Sequence, residues 1–208
     1  PAPEVWPVAA VVTEPTSLAI CPAHKGFEWF RVTCAGRAAH GSRHDIGVDA
    51  IRHAGLLLSA LHDLETGPMM HRLHPLLGRA SLHAAEISGG SGLSTYPDRC
   101  VLTIERRTLP GESPEAMLAE LHGCVQRARA VDPTMHATIE RIGGQLPSDV
   151  DVEAPVVRSL SRALQAQALP VAIAGMTAWT DAALFNAAGI PAVCFGPGDI
   201  GLAHAAEE

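Results

Sequence analysis

Between residues 27 and 142 the hydrophobic pattern switches repeatedly between a two-residue and a 3.6-residue period, and that order constrains the fold more than any other feature. "FEWFRVTCAG" (27–36) is β-branched and aromatic, ends in glycine and reads as a strand. From Gly47, "GVDAIRHAGLLLSALHDLE" sets Val48, Ile51, Leu56, Leu58 and Leu61 roughly on one helical face. Asp45 is placed to cap it, because a carboxylate there accepts otherwise unpaired backbone N–H groups. "ASLHAAEISGG" (80–90) and "RCVLTIERRTL" (99–109) read as two strands joined by a loop of Gly, Ser and Pro. "GESPEAMLAELHGCVQRARAV" reads as a second helix, with Ser113 as cap and Pro114 in its first turn. "TMHATIERI" (134–142) alternates as a fourth strand. The order β-α-β-β-α-β is that of a ferredoxin-like unit, a four-stranded antiparallel sheet with both helices on one face.

The flanks have another character. "VWPVAAVVTEPT" is a short apolar strand running into a loop; after 150 come two helices, "EAPVVRSLSRALQAQ" and "TDAALFNAAG", and an apolar strand, "PAVCFG". Short, wholly apolar strands beside helices are pieces of an α/β layer with parallel-type strands. Two visible strands do not complete such a sheet. The expected architecture is therefore α/β: a partial parallel-sheet domain (1–24 and 143–208) interrupted by the ferredoxin-like unit (25–142), its N-terminal half lying outside this sequence. A first residue that is proline rather than methionine agrees with a piece of a longer protein.

Composition removes several classes. A net charge of -7, with Lys25 the single lysine among fifteen basic residues, argues against nucleic acid as a partner. No apolar run approaches the roughly 20 residues of a membrane span, and no secretory leader opens the chain. The five cysteines are scattered and never form C-x-x-C, which disfavours a zinc ribbon or a disulfide framework. Reduced thiols in a cytoplasmic protein are the expectation.

Most of the eleven histidines have ordinary explanations. His53, His62, His122, His83 and His136 fall at helix or strand positions and read as packing or surface residues, while "HRLH" (His71, His74) reads as a solvated connector. Glu14 ends an apolar strand at "TEPT", the place where open α/β sheets bind ligands, so it is a candidate ligand or a loop carboxylate capping the next segment. His204, reached through "GPGDIGLAH", carries the same two readings. His40 sits in "GRAAHGS" among residues too small to bury it, open to a partner or substrate or simply a loop histidine. In "IERRTLPGE" alternation sends Arg106 and Arg107 to opposite faces, one solvated and one facing what the sheet covers. A guanidinium fork suits a carboxylate, whether a substrate's or a neighbour's.

These stretches, in this order, resemble the co-catalytic zinc metallohydrolases: acetylornithine deacetylases, succinyl-diaminopimelate desuccinylases, aminoacylases and glutamate carboxypeptidases. The resemblance is carried by "EPT", "KGFEWFRVTCAGRAAHGSRHDIGVDAI", "GGSGLSTYPDRCVLTIERRTLPGE" and "WTDAALFNAAGIPAVCFGPG…AH", and it covers nearly the whole chain. It implies that Glu14 and His204 are terminal ligands to two zinc ions, with cobalt or manganese as alternatives. It implies that His40 polarises the scissile carbonyl in the partner subunit, that Arg107 binds the substrate carboxylate, and that Thr180 and Asp181 line the pocket. Ser94 stands where many relatives carry asparagine at a substrate contact, and His44 where proline is common. The implied substrate is an N-acyl amino acid or a dipeptide, and the implied assembly is a homodimer through 25–142. The family's H-x-D and Glu-Glu segments would lie upstream, so this chain alone is expected to be inactive. The competing reading is a catalytically silent dimerisation or binding module on the same scaffold, to be separated by whether those motifs occur upstream.

Overall fold

The computed structural model describes residues 7–202. In chain order the first elements are β1 (Ala10–Val12), β2 (Ile20–His24), β3 (Gly26–Ala35), α1 (Ala50–Thr66), β4 (Leu73–His74), β5 (Gly78–Arg79), β6 (Ser81–Gly89) and β7 (Arg99–Thr108). Then follow α2 (Pro114–Val131), β8 (His136–Gln145), β9 (Ser148–Asp149), α3 (Pro155–Ala166), β10 (Ile173–Met176), α4 (Ala182–Ala187) and β11 (Ala192–Cys194). They divide into two compact units: one comprises 27–73 and 79–144, the other the chain up to Gly26, His74–Gly78 and the chain from Gln145 onward. Among the described residues no helix is long and apolar enough to cross a membrane.

In the unit of 27–73 and 79–144 the strands lie in the order β6-β7-β3-β8. Alternation along β3 buries Phe30, Val32 and Cys34 while Trp29 stays exposed, and β7 buries Cys100, Leu102, Ile104 and Arg106. The helix α1 turns Ala50, His53, Ala54, Leu57, Ala60, Leu61 and Leu64 inward. This is not the face read from the sequence: Ile51 is exposed, and alanines provide much of the inward stripe, a size of residue that periodicity by bulk overlooks. The cap also differs. Asp49, not Asp45, accepts from the N–H groups of Ile51 (2.9 Å) and Arg52 (3.0 Å), while Asp45 pairs with Arg43. Ser113 caps α2 as expected, accepting from the N–H of Ala116, with Pro114 following it.

The polar centre of this unit is Arg106, 2% exposed, whose two terminal nitrogens bind Glu112 and Glu120; Arg72 binds the same two carboxylates from the other side. Sharing the two acids between two guanidiniums keeps the buried charges paired, without which burial would cost several kcal/mol.

In the second unit the sheet runs β1-β11-β2-β10, with β9 also on β2. It is mixed rather than parallel, which corrects the sequence reading. The parallel pairs β1–β11 and β2–β10 meet through a single antiparallel bridge, Cys21 to Cys194, and β9 runs antiparallel to β2. The correction arises from β2 (ICPAH), a strand whose Pro22 masked it in the sequence although all five of its residues are buried. Ile20 and Val193 pack with Val156, Val157 and Leu164 of α3. Cys21, Ala192 and Cys194 point to the other face and pack with Ala182 of α4. The two helices thus cover opposite faces. All five thiols are free and buried.

Candidate functional site

Because β1 and β11 are parallel and in register from Ala10–Ala192 to Val12–Cys194, their C-terminal ends open side by side into two loops. The first is Glu14-Pro15-Thr16-Ser17-Leu18, the second Gly196-Pro197-Gly198. They are laced together. The N–H groups of Thr16 and Leu18 donate to the Gly196 carbonyl, that of Ser17 to the Gly198 carbonyl (2.7 Å), and that of Phe195 back to Val12 (3.0 Å). The Thr16 hydroxyl accepts from the Gly196 N–H at 3.1 Å and donates to the Ala19 carbonyl at 2.7 Å. Gly196 has to be glycine, since a Cβ there would lie 2.7 Å from the Glu14 carbonyl oxygen. Ser17 and Leu18 sit at φ 52° and 62°, left-handed values that cost side-chain-bearing residues roughly 1–2 kcal/mol each. The lacing holds that strain in place directly after Glu14.

Glu14 is half-buried, and burial, reinforced by the negative charge of Asp181, pushes its carboxyl above the usual range. Thr180 is buried and lies 3.1 Å from the Cys194 sulfur, with its oxygen also accepting from the Ala182 N–H. Asp181 follows at the start of α4. The structure therefore sets Glu14 within electrostatic reach of Asp181, with Thr180 adjacent in the chain. A cavity of about 250 Å³ opens at the loop that follows Glu14, lined by Pro15, Thr16, Ser17, Cys21 and Asp199 among others, whereas Asp181 lines a separate cavity with Leu184, Phe185 and Ile190. The thiols offer no nucleophile: burial first, outweighing a hydrogen bond from Thr180, pushes Cys194 up to about 11.

Glu14, buried and facing the negative charge of Asp181, is an oxygen donor short of positive charge, and the two carboxylates suit a hard or borderline divalent cation. They fit one corner of such a site and do not complete it. Among the described residues no three of His, Cys, Asp and Glu gather as a metal-binding set. His204, the second expected ligand, lies outside the described residues.

The other unit carries His40, Ser94 and Arg107. The His40 loop leaves β3 through Gly36, where a Cβ would meet the Val48 and Pro97 carbonyls at 2.3 and 2.5 Å, and returns past Gly47, which lies flat against the Tyr96 ring. Backbone bonds from Gly41 to Ser94 (2.7 Å) and from Tyr96 to Ala39 (2.8 Å) fasten it to the 94–97 loop, with His40 bridged to Thr95. His40 and Ser94 are thus neighbours. The His40 ring is exposed, with Nδ1 2.8 Å from the Ser42 hydroxyl.

Arg107 stands at the far end of β7. It is the half-exposed member of the arginine pair, ion-paired with Glu105 at 2.5 Å and set over the Phe27 ring at 5.7 Å. Glu105 also accepts from the Trp29 indole at 3.1 Å, so one carboxylate orients both. The sequence reading missed this Phe27-Trp29-Glu105 setting, although period-two alternation places all three on the face of Arg107. Also missed was the setting of His74, which the sequence alone places in a solvated connector. It is largely buried and lies 3.2 Å from Asp149, a partner 75 residues away that spacing does not show.

Comparison with known proteins adds the following. The sequence pattern of the peptidase dimerisation domain matches residues 22–132. The chain is 30% identical over 197 residues to an acetylornithine deacetylase of Myxococcus xanthus, covering 94% of this chain and 50% of that protein. It is 29% identical over 199 residues to a putative succinyl-diaminopimelate desuccinylase of Mycobacterium tuberculosis, covering 96% and 52%. Among solved structures, an aminopeptidase from Bacillus cereus superposes with a TM-score of 0.75 at 18% identity, covering 91% of this chain and 48% of that one. Human carnosine dipeptidase 1 superposes at 0.67 and 16%, covering 89% and 52%. The chain spans about half the length of the curated relatives it matches.

Proposed function

Since the chain belongs to the M20 family through its peptidase dimerisation domain, we propose that it is one part of a metal-dependent hydrolase cleaving the amide of an N-acyl amino acid or a dipeptide. The observation that carries this reading is the laced loop pair at the C-terminal ends of β1 and β11, which presents Glu14 beside Asp181 and Thr180. The activities for which the relatives are named, deacetylation and desuccinylation, are hydrolyses of acylated amines and agree with it.

In this reading residues 1–24 and 143–208 are the C-terminal part of the catalytic domain, and 25–142 form a ferredoxin-like lid that also makes the homodimer. The strand order β6-β7-β3-β8, with one helix after β3 and one after β7, supports the ferredoxin-like assignment. Glu14 and His204 would hold two zinc ions together with ligands from outside this chain, cobalt or manganese being alternatives. When bound, such a pair supplies Lewis acidity and a hydroxide nucleophile at neutral pH. Glu14 provides a rigid carboxylate, Thr180 and Asp181 shape the wall, and Arg107 takes the substrate carboxylate while Ser94 lines the approach. His40 donates a hydrogen bond to the oxygen that gains charge, a role worth roughly 3–4 kcal/mol where such donors have been removed.

His40 and Arg107 serve different sites in the dimer. His40 is bridged to the loop before β7, and Arg107 lies eight residues into that strand, roughly 26 Å along it at 3.3 Å per residue. No amino-acid-sized substrate spans that distance, so a complete site takes Arg107 from one subunit and His40 from its partner.

The test is hydrolysis of a panel of N-acyl amino acids by the full-length protein, before and after chelation. Metal-dependent release of the free amine, abolished by Glu14→Ala and absent from the isolated chain, is the expected result. A full-length protein that hydrolyses nothing but still dimerises through 25–142 would replace this reading with the silent module.

A further inference from the structure

The His40 loop has a feature that the hydrolase reading does not use. His40 Nδ1 lies 2.8 Å from the Ser42 hydroxyl and 3.3 Å from the Ser42 backbone N–H. A backbone N–H is only ever a donor, so Nδ1 must present its lone pair, and the hydroxyl at 2.8 Å then donates to the same nitrogen. A neutral imidazole with a lone pair on Nδ1 carries its proton on Nε2. The backbone around the ring is fixed as well. Gly41 donates to Ser94, the Arg43 N–H donates to the His40 carbonyl at 2.8 Å, and Tyr96 donates to Ala39.

We propose that Ser42 is a positioning residue that fixes the tautomer of His40, holding Nδ1 as acceptor so that Nε2–H faces outward as a hydrogen-bond donor. The proposal rests on the reading of His40 as the group that polarises the substrate carbonyl. A donor aimed at a carbonyl oxygen has to carry its proton on the outward nitrogen before substrate arrives. An imidazole free to exchange tautomers would spend part of its time offering a lone pair, which repels the same oxygen. Ser42 removes that alternative with two donors from one residue, and the exposed ring needs no burial to be preorganised.

The experiment is nitrogen-detected NMR of the histidine rings in the 208-residue chain, which reads which nitrogen of His40 is protonated without requiring activity. At a pH where the ring is neutral, wild type is expected to show essentially one tautomer with the proton on Nε2. Ser42→Ala keeps the backbone donor and loses the hydroxyl, and is expected to shift His40 part of the way toward the mixture of a free imidazole, since one of the two donors to Nδ1 remains. Ser42→Thr is expected to restore the wild-type signature. Unchanged Gly41 and Thr95 amide shifts show that the loop still folds. A wild-type ring protonated mainly on Nδ1, or a tautomer ratio that Ser42→Ala leaves untouched, overturns the proposal. The companion measurement is kcat of the full-length enzyme. If Ser42→Ala shifts the tautomer while both Ser42→Ala and His40→Ala leave kcat unchanged, the tautomer claim stands and the catalytic reading of His40 fails.

Discussion

Arg106 and Arg107 are adjacent in sequence and opposite in environment, so replacing each with alanine separates buried from exposed charge within one strand. Arg106 is 2% exposed and neutralises Glu112 and Glu120, which are themselves 11% and 19% exposed. Its removal strands those acids with only the more exposed Arg72, the situation in which breaking a buried pair costs about 3–5 kcal/mol. Arg107, 35% exposed, has one carboxylate partner, and screening by water limits its loss to about 0–1 kcal/mol. With a urea slope of about 2 kcal/mol/M, Arg106→Ala should lower the unfolding midpoint of its unit by about 1.5–2.5 M and Arg107→Ala by less than about 0.5 M. The assay is urea unfolding followed by the fluorescence of Trp29, with Trp6 and Trp179 replaced by phenylalanine so that only this unit reports. Substrate affinity of the full-length enzyme should show the reverse order, with Arg107→Ala the damaging change. Equal destabilisation by the two variants would refute the alternation argument and the assignment of Arg107 to the open face.

The same network predicts acid sensitivity. Burial pushes Glu120 up, but hydrogen bonds and charge from Arg72 and Arg106 outweigh it and hold the carboxyl below its usual value. Its stabilisation is therefore complete above the ordinary glutamate range and lost as pH falls through the lower folded value, and the acid limb of a stability–pH curve should flatten in Glu120→Gln. Gly196→Ala, whose Cβ would meet the Glu14 carbonyl at 2.7 Å, should push the two loops apart, lowering Tm by several degrees and abolishing activity of the full-length protein. Asn186 donates to Ser148 and Ala192 and accepts from the Ala192 N–H, standing in for a neighbouring strand beside β11. Asn186→Leu strands those groups and should cost about 2–3 kcal/mol in a urea melt of the chain.

How much of this was legible depended on the distance between cause and effect. The order of elements from 27 to 142 is local periodicity, and Ser113 before Pro114 is local capping chemistry, so both can be read from short windows. The inward face of α1 was misread because Ala50, Ala54 and Ala60 owe their burial to α2 and the sheet, not to their own hydrophobicity. Strands β2 and β10 were invisible for a related reason. Pro22 and Gly175 discourage a strand reading, yet Gly175 is required where a Cβ would lie 2.2 Å from the Leu76 carbonyl, a contact across almost 100 residues.

The candidate site divides along the same line. Resemblance implies that Glu14 is a metal ligand and that Thr180 and Asp181 line the pocket; the charge of Asp181 acting on Glu14 is a relation that no spacing in the sequence shows. What holds Glu14 still is a set of bonds between residues about 180 apart: Thr16 to Gly196 and Ser17 to Gly198. No window on the sequence contains both partners, so the threonine of "EPT" reads as a turn residue and the glycines of "GPG" as punctuation. In the folded chain Thr16 uses its hydroxyl as donor and acceptor at once, joining the end of β1 to the end of β11. A loop held only by its own turn would let the Glu14 carboxylate retreat toward solvent, where the charge of Asp181 is better tolerated. The lacing prevents that retreat and keeps the carboxylate where burial and the charge of Asp181 disfavour its ionised form; in the proposed reading a bound cation would offset both.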